Sequence, residues 1–359
     1  MRQITVGIIG CGRICNNAHV PALLSVKDVR VKYACDLIYA KAEAVKNKLG
    51  AEKACTDYRQ VIGDKQVDCV FVLTPNFAHY EITMAALKAG KHVFCEKPIT
   101  VNYALSREMC EEADKQGKIL NIGVCNRYHK SVELLEKLNR EGKFGKIYHV
   151  YCSYRKYRCI PGLGGAFTTK SQSGGGVLID WGVHFFDLIY YILGGAKTIS
   201  ATADAYSEMA KDMKAYKCND MWARDTADVE NGINDVEDFI SGYIRTDKAS
   251  VSFNGAWAQN IGHDEMYIDF LGDKAGARLD YCGHFTLWSQ DESGELAKTV
   301  YDYPIPDMYT REDEAFFESV RSGKKCRSNI SDVLPSAQLL EMLYESAGIK
   351  KEVYSEDEK

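Results

Sequence analysis

Short apolar runs alternate with amphipathic stretches along the first third of the chain. Runs buried on both faces are typical of parallel strands, and strand–helix alternation with short joins predicts right-handed crossovers. The predicted strands are Ile4–Ile9, Val29–Cys35, Cys69–Leu73, His92–Cys95 and Ile119–Gly123. The predicted helices are Ile14–Ser25, Ala40–Leu49, Ala78–Ala89 and Tyr103–Lys115. This pattern predicts an α/β domain, a doubly wound parallel sheet of the Rossmann type.

The pattern changes near Tyr148, where apolar and polar side chains begin to alternate with the period of a half-buried antiparallel strand. The strands predicted there are Asp235–Arg245, Val251–Trp257, Glu265–Leu271 and His284–Leu287. The predicted helices are Val177–Leu193, Thr310–Ser322 and Ser331–Ala347. We therefore expect a C-terminal α+β domain with an open, mostly antiparallel sheet, and domain limits of 1–125 and 126–359. The polar stretch Ser207–Asn234 is interpreted as a long connection.

Composition narrows the class of protein. A chain of 359 residues with a net charge of −5 is long enough for two domains and lacks a basic footprint for nucleic acid or anionic membrane. The 13 cysteines are scattered without a CxxC pair, as expected for thiols in a reducing cytosol. The first strand begins by Ile4, which leaves no room for a signal peptide, and charged residues interrupt the apolar Val177–Leu193 segment. A cytoplasmic protein without membrane or nucleic-acid partners is predicted.

The first predicted strand ends in a glycine pair, Gly10 and Gly12, followed by a possible helix start at Arg13 and Ile14. Glycines here permit a tight turn and let backbone N–H groups approach a pyrophosphate at the helix N-terminus. The second predicted strand ends in Asp36, at the spacing of a carboxylate that accepts from a ribose hydroxyl. The alternative is a glycine turn and a surface acid in some other α/β protein.

Three further segments follow predicted strands and therefore lie on the edge where open α/β sheets bind ligands. They are Thr74-Pro75-Asn76 with His79, Glu96-Lys97-Pro98, and Asn126-Arg127-Tyr128. A fourth segment runs from the glycines at 174–176 into an apolar helix that carries Asp180 and His184 one turn apart. Because burying a carboxylate and an imidazole is costly unless they are paired, their position requires a reason.

Together these motifs resemble, over essentially the whole chain, the glucose–fructose oxidoreductase, inositol dehydrogenase and rhizopine-catabolism family, written Gfo/Idh/MocA. The resemblance implies a two-domain NAD(P)-dependent dehydrogenase acting on sugars, cyclitols or related polyols. The implied cofactor-binding residues are Gly10, Gly12, Arg13, Ile14, Asp36, Leu37, Thr74, Pro75, Asn76, His79, Glu96, Lys97, Asn126 and Arg127. Cys15 stands where this family usually has a third glycine or an alanine. The acid at Asp36 would repel a 2′-phosphate, so NAD is predicted over NADP.

Oxidation of a secondary alcohol needs a base that works near neutral pH, and histidine is the residue type that suits this role, which makes His184 the candidate. Asp180 would polarise the imidazole or bind a neighbouring hydroxyl, and Lys97 would donate a hydrogen bond to the reacting oxygen. The structural alternative for His184 is a packed core histidine, and for Lys97 a surface lysine at a strand end. The predicted substrate-binding residues are Lys97, Tyr128, Arg155, Tyr157, Asp180 and His184.

The assignments of Arg155 and Tyr157 also have an alternative. Arg155 and Tyr157 either grip a polar substrate or belong to a solvated strand end. A metal site built on Asp180, His184 and Asp187 is not expected, because hydride transfer needs no Lewis acid and the remaining ligands are missing.

The sequence therefore predicts an NAD-dependent oxidoreductase for a sugar, glycoside or cyclitol hydroxyl, with carbon 3 of a glycoside compatible. Two rivals are an NAD-dependent glycoside hydrolase that works through transient oxidation and a non-catalytic NAD-binding regulator. We also expect a homodimer or homotetramer formed through the C-terminal sheet. Met266, Ile268 and Phe270 would point to one face of that sheet, and Tyr267 and Leu271 to the other.

Overall fold

A computed structural model describes residues 2–281, 283–304 and 307–356. The chain forms two compact units, Met1–Tyr128 with Asp307–Leu334, and His129–Pro306 with Pro335–Lys359. The limits predicted from the sequence, 1–125 and 126–359, differ from these units chiefly in the segment 307–334, which packs with the N-terminal unit. The physical reason is that Phe316 and Phe317, both completely buried, belong to the hydrophobic core of the first unit.

The first unit contains the predicted parallel sheet. Its strands are β1 (Ile4–Ile9), β2 (Val29–Cys35), β3 (Lys53–Cys55), β4 (Cys69–Val72), β5 (His92–Glu96) and β6 (Leu120–Gly123). Within the described residues the strand order is β3-β2-β1-β4-β5-β6, with every neighbouring pair parallel. The order reverses between β1 and β4, and a doubly wound sheet binds its ligand at such a switch point. This confirms the Rossmann prediction.

The second unit contains a larger, mostly antiparallel sheet. Its strands are β7 (Ile147–Arg155), β8 (Thr198–Tyr206), β9 (Phe239–Thr246), β10 (Ser250–Ala256), β11 (Glu265–Gly272), β12 (Ala275–Asp280), β13 (Phe285–Gln290), β14 (Leu296–Tyr301) and β15 (Val353–Tyr354). In the described part of the chain the order is β14-β13-β12-β11-β7-β10-β9-β8-β15, in which β7 and β10 form a parallel pair. The predicted α+β class is confirmed.

The α-helices flank these sheets. They are α1 (Val20–Ser25), α2 (Tyr39–Leu49), α3 (Tyr58–Gly63), α4 (His79–Lys88), α5 (Tyr103–Gln116), α6 (Lys130–Arg140), α7 (Lys170–Ser173), α8 (Val183–Ile192), α9 (Met308–Ser322) and α10 (Ile330–Ile349). Two π-helical turns, Cys15–His19 and Leu178–Gly182, lead directly into α1 and α8. The sequence predicted continuous helices at both places. The wider turns matter because π-helical turns inside helices are frequent at functional sites.

Aromatic packing holds each unit together. In the first, Phe71 of β4 stacks on Phe94 of β5 at 4.8 Å, and Phe316 of α9 meets Phe71 edge-on at 5.5 Å. In the second, α8 covers one face of the sheet, where Phe186 meets Phe253 edge-on at 5.0 Å. A fully buried phenylalanine contributes about 1.5–3 kcal/mol, so these contacts are major sources of stability.

The segment predicted as a long connection, Ser207–Asn234, is largely irregular and contains one short 3₁₀ turn at Arg224–Thr226. The ring of Trp222 meets that of Phe167 edge-on at 4.5 Å. The backbone carbonyl of Trp222 accepts a hydrogen bond from the N–H of Gly162. Among the residues that the structure describes, no helix is both long and apolar enough to cross a membrane.

Candidate active site

The turn after β1 has the geometry of a dinucleotide-binding loop. Gly10 has φ +98°, and a Cβ there would lie 2.5 Å from the carbonyl oxygen of Leu73, so only glycine is compatible with this approach of β1 to β4. Gly12 has open space instead, with nothing within 4 Å of an added Cβ. Arg13 is exposed and Ile14 half-buried at the start of the following helix. The loop therefore leaves room for a phosphate to approach the backbone.

Asp36 lies at the end of β2, beside the glycine loop. Its Oδ2 accepts the N–H of Cys11 at 2.9 Å, and its Oδ1 accepts the N–H of Ile38 at 2.9 Å. A carboxylate has about four acceptor positions, so two hydrogen bonds fix its orientation and leave capacity for ribose hydroxyls. Leu37, which follows it, is 90% exposed and offers an apolar surface for a base. These residues fit the nucleoside half of NAD.

His79 ties together the two turns that follow β4 and β5. Its Nδ1 lies 2.8 Å from the carbonyl oxygen of Pro98, and its Nε2 lies 2.9 Å from that of Thr74. The ring is completely buried, so its contribution to a cofactor site is to hold these turns in place. Pro75 is exposed and Asn76 half-buried, on the rim where the sequence placed them.

Lys97 is half-buried directly after β5, whereas Glu96 is buried. The Oε2 of Glu96 accepts the backbone N–H of Lys97 at 3.1 Å. The close packing extends to Gly123, where an added Cβ would lie 2.7 Å from Oε1 of Glu96. Glu96 therefore acts on the site through the backbone of its neighbour.

The segment Asn126-Arg127-Tyr128 is buried within the first unit. The guanidinium of Arg127 donates to the carbonyls of Arg327 and Asp332, and the hydroxyl of Tyr128 lies 2.9 Å from Oγ of Ser328. With only 2% of its surface exposed, Tyr128 is enclosed by protein. The structure gives Arg127 and Tyr128 packing partners in this unit, a supporting position the sequence alone did not suggest.

Asp180 and His184 lie four residues apart where the π turn Leu178–Gly182 passes into α8. Asp180 is 8% exposed, and its Oδ2 accepts the indole N–H of Trp257 at 3.2 Å. His184 is half-buried, with its ring 6.5 Å from that of Tyr281. Asp187, three residues further on, is almost completely buried.

A half-buried carboxylate from a distant strand connection stabilises the start of this helix. Glu237 accepts the N–H of Gly176 at 2.9 Å and the N–H of Leu178 at 3.0 Å, and the hydroxyl of Tyr344 donates to it at 2.9 Å. A negative charge at a helix N-terminus is favourable. Burial raises the pKa of Glu237, a shift that these hydrogen bonds oppose.

Glu237 and Trp257 were not predicted from the sequence as parts of the site. They lie 59 and 77 residues from the helix positions they contact, so no local motif marks them. The alternation within Val251–Trp257 predicted only a strand.

Arg155 is not brought together with Asp180 and His184. Tyr154 packs against Phe185 of α8, and since successive strand residues alternate between faces, Arg155 points to the opposite face of the sheet. There it forms an ion pair with Glu265. The backbone N–H of Tyr157 donates to Asp264. Of the two interpretations of Arg155, a solvated strand end fits these contacts better.

Within the described residues, no group of three or more histidine, cysteine or acidic side chains is placed to hold a metal ion.

The first unit is therefore a dinucleotide-binding domain, and the second carries a buried acid and a half-buried histidine at a helix start. Residues 4–124 match the family model described as "Oxidoreductase family, NAD-binding Rossmann fold". Residues 132–278 match the model "GFO/IDH/MocA C-terminal domain".

Curated relatives extend the similarity over the whole chain. A D-glucoside 3-dehydrogenase of Escherichia coli (strain K12) is 32% identical over 96% of this chain and 95% of its own length. A myo-inositol 2-dehydrogenase of Thermotoga maritima is 30% identical over 89% of both chains. The chain belongs to the Gfo/Idh/MocA oxidoreductase family, and it is an NAD-binding dehydrogenase of the group that acts on sugar or cyclitol hydroxyls.

The fold has solved counterparts. A levoglucosan dehydrogenase in complex with NADH and levoglucosan superposes with a TM-score of 0.85 at 20% sequence identity, covering 98% of this chain and 99% of the other. An aldose–aldose oxidoreductase from Caulobacter crescentus gives a TM-score of 0.81 at 21% identity, with coverage of 99% and 100%. At this level of identity the likeness establishes the fold.

Proposed function

We propose that the protein oxidises a secondary hydroxyl of a glycoside, with carbon 3 of a glucoside as the first candidate and ring hydroxyls of free sugars or cyclitols as related substrates. The observation that carries this proposal is the Asp180–His184 pair. Trp257 hydrogen-bonds Asp180, and Glu237 accepts the backbone N–H of Leu178 in the π turn that carries Asp180. The same chain has an NAD-binding domain. A packing residue would not need a buried carboxylate one turn before a half-exposed imidazole.

The chain's own residues suit NAD. The loop from Gly10 to Ile14 would hold the pyrophosphate, Asp36 the ribose with Leu37 against the base, and the Thr74–Asn76 turn with Lys97 the nicotinamide end. When bound, NAD accepts the hydride at its nicotinamide ring.

The proton leaves by a separate path. His184 takes it from the substrate hydroxyl as the carbon–hydrogen bond breaks, because an imidazole titrates near the working pH. Asp180 lies one turn before His184, where a carboxylate favours the protonated imidazole, and the hydrogen bond from Trp257 fixes the direction of this carboxylate. Lys97 donates to the reacting oxygen and stabilises the negative charge that develops on it.

The substrate class is supported by the relatives. The names of the E. coli and T. maritima relatives specify a glucoside and myo-inositol, both ring compounds that carry several hydroxyls. The glucoside relative is similar over nearly its whole length, which favours carbon 3 of a glucoside over a cyclitol position.

The experiment adds methyl glucosides, free hexoses and inositols one at a time to purified protein with NAD, and follows the absorbance band of reduced nicotinamide. We expect the band to grow most with a glucoside. Release of free sugar without net change in that band would favour the hydrolase. Binding of NAD without oxidation of any compound in the panel would favour the regulator.

We also propose a reducing cytoplasmic setting and a homodimer or homotetramer. No disulfide joins the cysteines among the described residues, and most of them are buried. The sheet face opposite α8 exposes Tyr151 (47%), and register places Asp269 beside it, with Tyr267 and Leu271 on the same face. Light scattering should give the mass of a dimer or a tetramer of the 40.2 kDa chain. The mass of a single chain at micromolar concentration would contradict the proposal of an oligomer.

A further inference from the structure

A completely buried histidine in the first unit bridges two acidic side chains. The Nε2 of His19 lies 3.1 Å from Oε1 of Glu96, and its Nδ1 lies 3.2 Å from Oδ1 of Asp313. None of the ring surface is exposed. Because a carboxylate only accepts hydrogen bonds, both contacts are satisfied together when both ring nitrogens carry a proton. The arrangement is therefore a buried imidazolium between two carboxylates.

The same Glu96 carboxylate reaches the candidate catalytic lysine. Its Oε1 contacts His19, and its Oε2 accepts the backbone N–H of Lys97. Rotation of the carboxyl group would break both contacts, so the orientation of Glu96 and the position of the Lys97 backbone depend on the same hydrogen bonds. His19 thus stands two hydrogen bonds from Lys97, within the first unit.

His19 ends the π turn Cys15–His19, which follows the glycine loop, and Asp313 belongs to α9. The edges of Phe71 and Phe94 surround the ring, with centroids 5.5 Å and 5.1 Å away. In an apolar enclosure of this kind water does not compete, so the two charge-assisted hydrogen bonds are strong and directional. They connect the cofactor-binding turn, the end of β5 and α9.

We propose that His19 is a positioning residue for the dehydrogenase reaction, holding Glu96 so that the backbone of Lys97 keeps the ammonium where the substrate oxygen reacts. This inference rests on the role proposed above for Lys97. His19 itself touches neither substrate nor cofactor in this account. Because His19 acts on the placement of Lys97, its loss should lower the rate of turnover and leave the affinity for NAD unchanged.

A third acid, Glu312, lies in the same cluster. Glu312 is fully buried, and neither of its carboxylate oxygens has a hydrogen-bond partner among the described residues. Burial raises its pKa well above the ordinary value, with the charges of Glu96 and Asp313 acting in the same direction. Burial thus disfavours the charged form of Glu312, and the acids that hydrogen-bond the ring of His19 are Glu96 and Asp313.

The alternative is that His19 is only an anchor for α9. Both roles predict that removing the imidazole destabilises the fold, so stability alone does not separate them. They differ in the turnover of the molecules that remain folded. A positioning residue changes kcat through Lys97, whereas an anchor leaves the rate per folded molecule intact.

The experiment compares His19→Gln with His92→Gln in the full-length protein. His92 opens the same strand that Lys97 follows, and its Nδ1 accepts the N–H of Ile119 at the opposite end of β5. The control thus perturbs the strand without touching Glu96. For each variant, thermal unfolding, NAD affinity, KM and kcat are measured at a temperature where both are folded.

We expect kcat of His19→Gln to fall by about tenfold or more, the scale of a small misplacement of a reacting group, with NAD affinity nearly unchanged. His92→Gln should keep the wild-type kcat. A double-mutant cycle with Glu96→Gln should be non-additive, since both changes interrupt one chain of contacts. Equal kcat for His19→Gln and His92→Gln, or additive losses in the cycle, would overturn the proposal.

Lys97→Ala, measured alongside, separates this inference from the function on which it rests. If Lys97→Ala loses turnover while His19→Gln does not, only the positioning role fails. If Lys97→Ala keeps wild-type turnover, the role of Lys97 fails, and any loss in His19→Gln must then act elsewhere, which also overturns the positioning proposal.

Discussion

The indole N–H of Trp257 points at the carboxylate of Asp180, with 3.2 Å between Nε1 and Oδ2. Trp257 is completely buried and follows β10, so the central sheet of the second unit determines the direction of this acid. A hydrogen bond to a charged group contributes about 1.5–3 kcal/mol, more than an ordinary neutral one. The position of the acid beside His184 is therefore built into the core and does not depend on a surface loop.

Trp257→Phe removes the indole N–H while it keeps an aromatic ring. We expect kcat to fall by about tenfold, because a carboxylate free to rotate supports the imidazolium less well and about 1.4 kcal/mol corresponds to one factor of ten. Trp222→Phe is the matched control, since its ring contacts Phe167 and not Asp180. Steady-state kinetics on folded variants check this, and equal rates for the two variants would argue against the role of Trp257.

His184→Asn keeps a hydrogen-bonding side chain but removes the titratable nitrogen. Turnover should fall by roughly a hundredfold or more, the usual scale for a general base, while NAD affinity stays nearly unchanged. His149→Asn serves as the control, because His149 hydrogen-bonds Ser250 and Ser252 on the sheet. A folded His184→Asn enzyme with undiminished turnover would leave Lys97, or a water that it positions, as the better candidate for the base.

Asp36→Ser should weaken the preference for NAD over NADP. The carboxylate repels a 2′-phosphate, and serine removes that charge while still accepting a hydrogen bond. Asp57→Asn is a useful comparison, because it removes an acid just after β3 yet preserves a residue that caps α3. The ratio of kcat/KM for the two cofactors measures the effect. Wild-type protein that uses NADP as well as NAD would show that Asp36 does not select the cofactor.

The buried His19 cluster predicts a pH dependence of stability. Burial lowers the pKa of His19, but the charges and hydrogen bonds of Asp313 and Glu96 outweigh it and raise the pKa to about 10. A raised folded-state pKa gives stability that is fully present below the unfolded value, about 6.5, and lost as the pH rises towards 10. The free energy of unfolding should fall more steeply over that range in wild type than in His19→Gln. Denaturant titrations at several pH values test this, and parallel slopes would contradict it.

Local patterns predicted most of the architecture, and the reason is physical. Strands β1 and β2 match their predicted limits because continuous apolar runs and glycine or acidic ends mark buried parallel strands. Strands β3, β7, β8, β12, β14 and β15 were not among the predicted strands. The short β3 and the solvent-facing β14 carry too weak a pattern of apolar residues to be recognised. The two π turns were also missed, because the spacing of apolar residues predicts a helix but not its local widening.

Some residues of the candidate site could likewise be predicted from the sequence, and others could not. The sequence identified the glycines, Asp36 and the residues that follow each strand, because ligands of a doubly wound sheet bind where its strands end. The enclosure of Tyr128 and the supporting roles of Trp257 and Glu237 depend on contacts between distant segments. The contact of His19 with Asp313 spans 294 residues, and the packing of α9 into the first unit that makes it possible has no local signature. Such long-range pairing lies outside what periodicity and spacing can predict.

Transfer of a deuterium atom from carbon 3 to the cofactor would demonstrate the proposed reaction directly. Purified protein is incubated with NAD and methyl glucoside labelled with deuterium at carbon 3, and the reduced cofactor and sugar product are analysed by mass spectrometry. We expect reduced cofactor that carries the deuterium, together with an equal amount of 3-keto glucoside. Reduced cofactor without the label would contradict oxidation at carbon 3, and the absence of reduced cofactor with any labelled or unlabelled ring alcohol would contradict the dehydrogenase activity itself.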